Sequence, residues 1–469
     1  QYASYALMLS YEALVRARPE WEVELQPGGY ANNAAWAAYS LFYKKGMKGW
    51  VDPYLPRSAN FHDSSAILAS DPDLMLHIAR RFRESHPQSA AIARWLFDEL
   101  HAEQAQYGPG DRTAFKFINK VGFLSVLSLP FACEGQSPET LGLAPVHGFD
   151  NGQVLARQHW QSSTVLAVQG GCETLQATGH QHNSYNSFIL VHNKERLLVD
   201  PGHCCYRNLM RGHDLATSSH NTITFQICEE GKQANQLQQS VETGGRRRHK
   251  KGDEISPPVE MDSLNLITTQ TDDLIVIGSE IAELYGQPLT SVKRFWVQGG
   301  EHALFVLDLV EAEVPVKVSW HWLFNNRDGL TTFKDGFADR MVVRRGNAGL
   351  KLFHCANGHK RGPQYAYVHD AYHPLPNQLG EGASGTGYLY KWTAPEAEAS
   401  SMSVHAIAVD DPGMIASWHM YNRDEGIALE GRGQQWQVKP VSQSEIRIEE
   451  TVSGRSWQLS ATKGSWTLS

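Results

Sequence analysis

The hydrophobic period changes once along this chain, and that change limits the folds open to it. Up to about residue 135, apolar residues recur every three or four positions. From about 145 they alternate, or gather in short β-branched and aromatic runs separated by Gly, Asp and Asn. Three- and four-residue spacing makes one face of a helix, and alternation makes one face of a strand. The expected architecture is α+β and multidomain: a helical region over 1–135, then a large antiparallel β-sandwich over 136–469.

Within the first region, Tyr5, Met8, Leu9 and Glu12 to Leu14 open an amphipathic run that Pro19 closes. Asn32-Asn33 reads as the cap of a helix carrying Trp36, Tyr39, Leu41 and Tyr43, with Gly46 as its stop. Asp63 is expected to head a short helix in HDSSAILAS. Asp71, with Pro72 at the first helical position, is expected to cap a helix with Leu74, Met75, Ile78 and Phe82 on one face. Another is expected from about Gln88, with Ile92, Trp95, Leu96 and Leu100 at helical spacing.

In the second region STVLAVQ, NSFILVH, RLLVD, NTITFQI, LIVIGSEI, HALFVLDLV, VKVSWHWLF, MVVRR, VHAIAVD and SEIRIEE read as strands. So many strands without intervening helices imply an antiparallel sandwich or stacked sheets. GEGASGTGY (380–388) reads as a flexible surface loop.

A net charge of −8 argues against nucleic acid as a partner. No apolar run approaches the ~20 residues of a membrane span. The opening QYASYALMLSYEALV lacks the basic start and small-residue cleavage site of a signal peptide. The chain has no initiator Met and enters directly into a helical pattern, so an upstream remainder is expected. The six cysteines have no CxxC spacing and read as free thiols. Thirteen Trp, 17 Tyr and 17 Phe suit stacking on sugar rings and suit core packing equally well.

The densest polar chemistry is TGHQHNSYNSF (178–188), directly before the apolar run FILV. His182 lies at a strand start, Asp200 ends the next strand in LLVDPG, and His220 opens a third in SSHNTITF. Consecutive antiparallel strands bring such positions together, and two imidazoles with a carboxylate suit Zn²⁺. The alternative is that the three merely cap strand ends. His180 leaves the same face of an extended strand as His182 and is expected to point toward solvent or substrate. Tyr206 follows Asp200 by a short loop, so a Tyr and a His converging on a cleft are candidates for acid and base.

GHQHNSYNSF, LLVDPG and SHNT together resemble the heparinase II/III-like polysaccharide lyases, which include oligoalginate lyases. YLPRSANFHDSSAILASDPDLM resembles the end of their helical domain, and VKRFWVQGGEHALFVLDLVEAEVPVKVSWHWLF their central strands. The resemblance runs from the first helix to about residue 325. It implies an α/α toroid on a β-sandwich, and Zn²⁺ held as a structural brace by His182, Asp200 and His220. It also implies β-elimination at a uronic acid, in a bacterial periplasmic or secreted protein, with a cytoplasmic location left open. By the same resemblance His180 assists at the uronate, and a tyrosine is base and acid. Tyr206, Tyr2 and Tyr5 are the candidates, the last two following the position of the family's catalytic tyrosine.

Two departures stand out. Ser184 replaces the Asp of the family pattern, which leaves His180 differently tuned, and only about five toroid helices are present. Asn186 and Arg207, beside the motif, are candidate substrate contacts. Arg246 and Arg247, in GGRRRHKKGDE (244–254), are candidates for a polyanionic sugar, although a solvated hairpin loop is the preferred reading of that run. The expected function is cleavage of an acidic polysaccharide or oligosaccharide. The alternatives are a non-catalytic, zinc-braced carbohydrate-binding scaffold and, lower in rank, a zinc hydrolase, for which no H-E-x-x-H motif is present.

Overall fold

The computed structural model describes residues 2–22, 28–46, 56–62, 64, 66, 70–101, 128–172, 174–175, 181–202, 214–227, 235–240, 259–260, 265–271, 273–326, 330–336, 340–354, 360–361, 365–369, 385–423, 426–462 and 465–469. Contacts divide the chain into two units. One is Gln1–Asn60 with Ser65–Pro145, and the other is Phe61–Ser64 with Val146–Ser469. No helix among the described residues is long and apolar enough to cross a membrane.

The longer described helices of the first unit are α1 (Tyr2–Ala17), α2 (Asn33–Ser40), α3 (Pro72–Arg81) and α4 (Pro87–His101). The start of α3 follows its sequence signals. Asp71 Oδ1 accepts the amides of Asp73 (2.9 Å) and Leu74 (3.1 Å), and Pro72 occupies a position that needs no donor. Met8, Ala34, Leu74, Met75, Ile78, Phe82, Ile92 and Leu96 interlock as its core. These helices bear out a helical first region; the α/α toroid expected there is not shown.

Three local expectations change. Asn32 makes no side-chain cap, because the backbone is already helical there: its amide bonds Gly28 O of a preceding short turn, at 2.9 Å. Leu41 and Tyr43 leave the helical pattern to pair with Ser58 and Arg57, so strand pairing overrides their spacing. In HDSSAILAS the described residues His62, Ser64, Ala66 and Ser70 are not helical, and Asp63 lies outside the described set.

The second unit is built on antiparallel strands. Those that frame the site are β1 (Gln153–Ala156), β2 (Thr164–Gln169), β3 (Ser187–His192), β4 (Glu195–Leu198), β5 (Ile223–Ile227), β6 (Leu274–Glu280), β7 (Leu289–Gly299), β8 (Ala303–Asn326), β9 (Gly385–Thr393) and β10 (Glu398–Asp410). A separate six-stranded sheet runs in sequence order from His419 to Leu468. Two cores separate these layers, and the alternation of the middle strands feeds both. Ile275, Ile277, Trp296, Leu304 and Val306 join Leu166, Phe188, Ile223 and Phe225 in one core. Leu274, Val276, Phe295, Val297, Phe305 and Leu307 join Trp418, Trp436, Ile446 and Leu459 of the C-terminal sheet in the other. A sheet covered on both faces needs continuous apolar strands, which is why LIVI and ALFVL show no polar alternate.

HALFVLDLV and VKVSWHWLF, read as two strands, are one strand of 24 residues, β8. Its first half pairs with β7 and β10, its second with β5 and β9. The exposed Glu313-Val314-Pro315 lies at the change of partners, where the β10 ladder shifts register between Glu311 and Val316. Proline is tolerated there because no ladder hydrogen bond needs its missing N–H. Of the expected GEGASGTGY loop, Gly385 to Tyr388 belong to β9, and 380–384 lie outside the described residues.

Candidate metal centre

β3 and β4 are joined by Asn193-Lys194, both with positive φ (47° and 59°), the backbone that a two-residue hairpin turn needs. The turn carries the chain back along β3, so the segment after β4, with Asp200, returns toward the segment before β3, with His182. His220 follows the short 3-10 turn Thr217–Ser219 and precedes β5. One donor atom from each of His182, Asp200 and His220 lies within 4.8 Å of the others, and all three residues are buried.

Asp200 is held from several sides. Its Oδ1 accepts the Gly202 amide at 2.8 Å, and its Oδ2 lies 2.9 Å from His220 Nδ1. Burial alone pushes this carboxyl up. The His220 ring, then His182 and the Gly202 amide, more than offset that and hold it below its ordinary 3.8. His220 Nε2 lies 3.1 Å from the carbonyl of Asp214, which fixes the ring plane. The His182 and His220 rings stand 5.4 Å apart, tilted by 58°. Two imidazoles and an anionic oxygen, converging and shielded from water, form a donor set that fits a divalent cation.

The frame behind these residues is pinned by hydrogen bonds. Asn221 Nδ2 donates to the carbonyls of Phe188 (2.8 Å) and Val199 (2.9 Å), and its Oδ1 accepts the Leu323 amide (2.6 Å). One amide thus ties the β3, β4–Asp200 and β8 segments together, next to His220. Arg294 Nη1 donates to the carbonyls of Asn186 and Asn221, both at 2.9 Å, while its fork grips Asp308 at 2.6 and 2.9 Å. Trp320 Nε1 donates to the same carboxylate at 2.9 Å. Gln239 bonds both the amide and the carbonyl of Tyr185.

Asn186, expected to contact substrate, is instead fully buried in a left-handed turn (φ 56°). Its side chain donates to Ser279 O at 3.4 Å and its carbonyl to Arg294 acts as acceptor, so it shapes the turn into β3. His180, Tyr206, Arg207, Arg246 and Arg247 lie outside the described residues. Tyr2 and Tyr5 lie on α1, in the first unit, with side chains outside the described set.

A residue that the sequence did not single out joins the centre. His62 belongs by contact to the β-rich unit. Its Nδ1 accepts the His182 amide at 3.2 Å and lies 3.2 Å from Ser184 Oγ. Burial lowers its ring to about 4, with Asp200 acting in the opposite sense, so it is neutral at pH 7. The signal for it was faint: a His among turn-forming residues in ANFHDSS.

Residues 144–389, more than half of the chain, match the family described as heparinase II/III-like, C-terminal. The chain belongs to the heparinase II/III-like family. No curated protein matches it in sequence. Among solved structures, a heparinase III shares the fold at a TM-score of 0.60 and 14% identity, covering 98% of this chain and 59% of that one. Heparan sulfate lyase HepC from Pedobacter heparinus shares it at a TM-score of 0.54 and 13% identity, covering 100% of this chain and 57% of that one. This heparinase II/III-like chain therefore spans less than two thirds of the length of either structure.

Proposed function

We propose that this chain is a polysaccharide lyase that cleaves a uronate-containing polysaccharide by β-elimination, its β-rich unit braced by zinc on His182, Asp200 and His220. The observation that carries the reading is the buried His-Asp-His cluster within a heparinase II/III-like domain. The ion would supply a cross-link between three strand-end segments, a structural contribution.

The elimination places separate demands on the protein. The uronate carboxylate must be neutralised so that the C5 proton becomes acidic, that proton must be removed, and the leaving glycosidic oxygen must be protonated. His180, two residues before His182, is the candidate for the first two tasks. Tyr206, or a tyrosine of α1 such as Tyr2 or Tyr5, is the candidate base and acid. The basic run with Arg246 and Arg247 is a candidate contact for carboxylate or sulfate groups. A polymer too large to enter a cell favours an extracytoplasmic location, which cell fractionation tests.

Heparan sulfate is the first substrate to try, followed by alginate, hyaluronan and chondroitin. Ultraviolet absorbance from new unsaturated ends is expected with at least one of them, and His180→Ala should remove it. Silence across the panel overturns the lyase reading. Binding of a polymer without new ends would support the non-catalytic scaffold instead.

A further inference from the structure

His62 combines three observations that ordinary turn packing does not require together. It is a β-carbon-bearing residue in the left-handed region, at φ 60°. Its tetrapeptide, Phe61–Ser64, belongs by contacts to the β-rich unit although its chain neighbours on both sides do not. Its ring meets the segment that carries a candidate metal ligand, at the ligand's own amide. Glycine would adopt this backbone without strain, and asparagine nearly so. A histidine kept in a strained conformation points to a task for its ring.

The hydrogen bonds define that task. A backbone amide only donates, so Nδ1 of His62 bears its lone pair toward His182 N, and the ring proton sits on Nε2. Ser184 Oγ, 3.2 Å from the same nitrogen, is then a donor to it as well. One acceptor therefore spans residues 182 and 184. The ring also stands edge-on to the His182 ring, with centroids 6.2 Å apart and planes at 80°, and 6.0 Å from Tyr185. Backbone, hydroxyl and ring contacts together fix where the His182 imidazole points.

We infer that His62 is a positioning residue for the metal centre: by accepting from His182 N and Ser184 Oγ, it holds the His182 imidazole ready for a divalent ion. The inference rests on the proposed zinc site and goes beyond it, because His62 is assigned as the support of a ligand and not as a ligand. Preorganisation of this kind acts on affinity, since a ligand already in place loses less freedom on binding.

The test uses the full chain, stripped of metal and titrated with Zn²⁺, then with Co²⁺ so that the visible spectrum reports ligand geometry. His62→Gly removes the ring but suits the backbone. Zn²⁺ affinity should fall by about 10- to 100-fold, in a protein that still folds without metal although the His182 amide and Ser184 hydroxyl have lost their acceptor. His62→Asn tolerates the same φ and places its Oδ1 near the lost Nδ1, so it should restore much of the affinity. Hydrogen exchange at residues 181–184, read without metal, should speed up in His62→Gly and slow again in His62→Asn. Wild-type affinity in a folded His62→Gly protein, or an asparagine variant as weak as glycine, overturns the inference. A wild-type chain that takes up neither ion instead overturns the zinc reading, and the assignment with it, a pattern distinct from tight wild-type binding left unmoved by substitution.

Discussion

His77 and His220 are both buried, and each sets a ring nitrogen 2.9 Å from a carboxylate oxygen, yet their surroundings differ. In the helical unit, Tyr30 Oη lies 2.9 Å from His77 Nδ1, and His77 Nε2 meets Glu12. Arg81 grips both oxygens of Glu12 at 2.8 Å and also bonds Glu22 at 2.9 Å. With a neutral imidazole the network closes: Tyr30 donates to Nδ1, Nε2–H donates to Glu12, and the guanidinium neutralises the carboxylate. In the β-rich unit the carboxylate meets a second imidazole where Glu12 meets a guanidinium. A histidine–carboxylate pair becomes a candidate cation site when further neutral donors converge on it, and a structural link when an Arg has already supplied the positive charge.

The comparison can be broken by removing the part that each side depends on. The largest effect is expected at the frame of the β-side. Asn221→Ala strands two carbonyls and an amide in a dry interior, and should lower stability by about 4 kcal/mol, since each buried unpaired group costs roughly 1–3. Urea unfolding measures it, and a loss below about 1 kcal/mol would remove the clamp from the account. Next, His182→Ala should weaken Zn²⁺ by about 100-fold or more, because a structural site shares on the order of 10 kcal/mol among three or four ligands. Equal zinc in variant and wild type, by metal analysis, would end the metal assignment.

Arg81→Met should lower stability by about 2 kcal/mol, the scale of a charge-assisted hydrogen-bonded pair, with zinc stoichiometry unchanged. A change in zinc content there would collapse the distinction between the clusters. The smallest effect is on acid stability. Burial holds His77 below its ordinary 6.5. Glu12, despite burial that acts to raise it, is held far below 4.5 by His77 and Arg81. Both groups bind protons more readily in the unfolded chain. The helical unit should therefore lose stability as pH falls below about 6.5, and lose more below about 4.5. Circular dichroism melts across that range check it; stability that rises on acidification would contradict the assigned protonation states.

Much of the His-Asp-His cluster was legible because it depends on strand order. His182, Asp200 and His220 stand at successive strand starts and ends, and a tight hairpin between β3 and β4 folds back whatever flanks it. The cap of α3 was legible for a similar reason: Asp71-Pro72 acts on its own neighbours. The single long strand β8 was not, because Val314-Pro315 looks like a break until both halves find separate partners. The burial of Asn186 was not legible, because a polar residue beside a motif looks the same in sequence whether it faces ligand or backbone.

By itself, then, the sequence determined the switch from helical to strand period, the uninterrupted apolar runs of a doubly covered sheet, and the polar strand ends that carry the candidate ligands. These depend on spacings of a few residues, over which backbone geometry is fixed. Only the tertiary structure decided that β8 serves two sets of partners, that Asn221 and Arg294 hold the frame, and that His62 arrives beside His182 from 120 positions away. Hydrogen bonds between distant residues depend on how whole layers pack, and no local pattern in the chain encodes that distance.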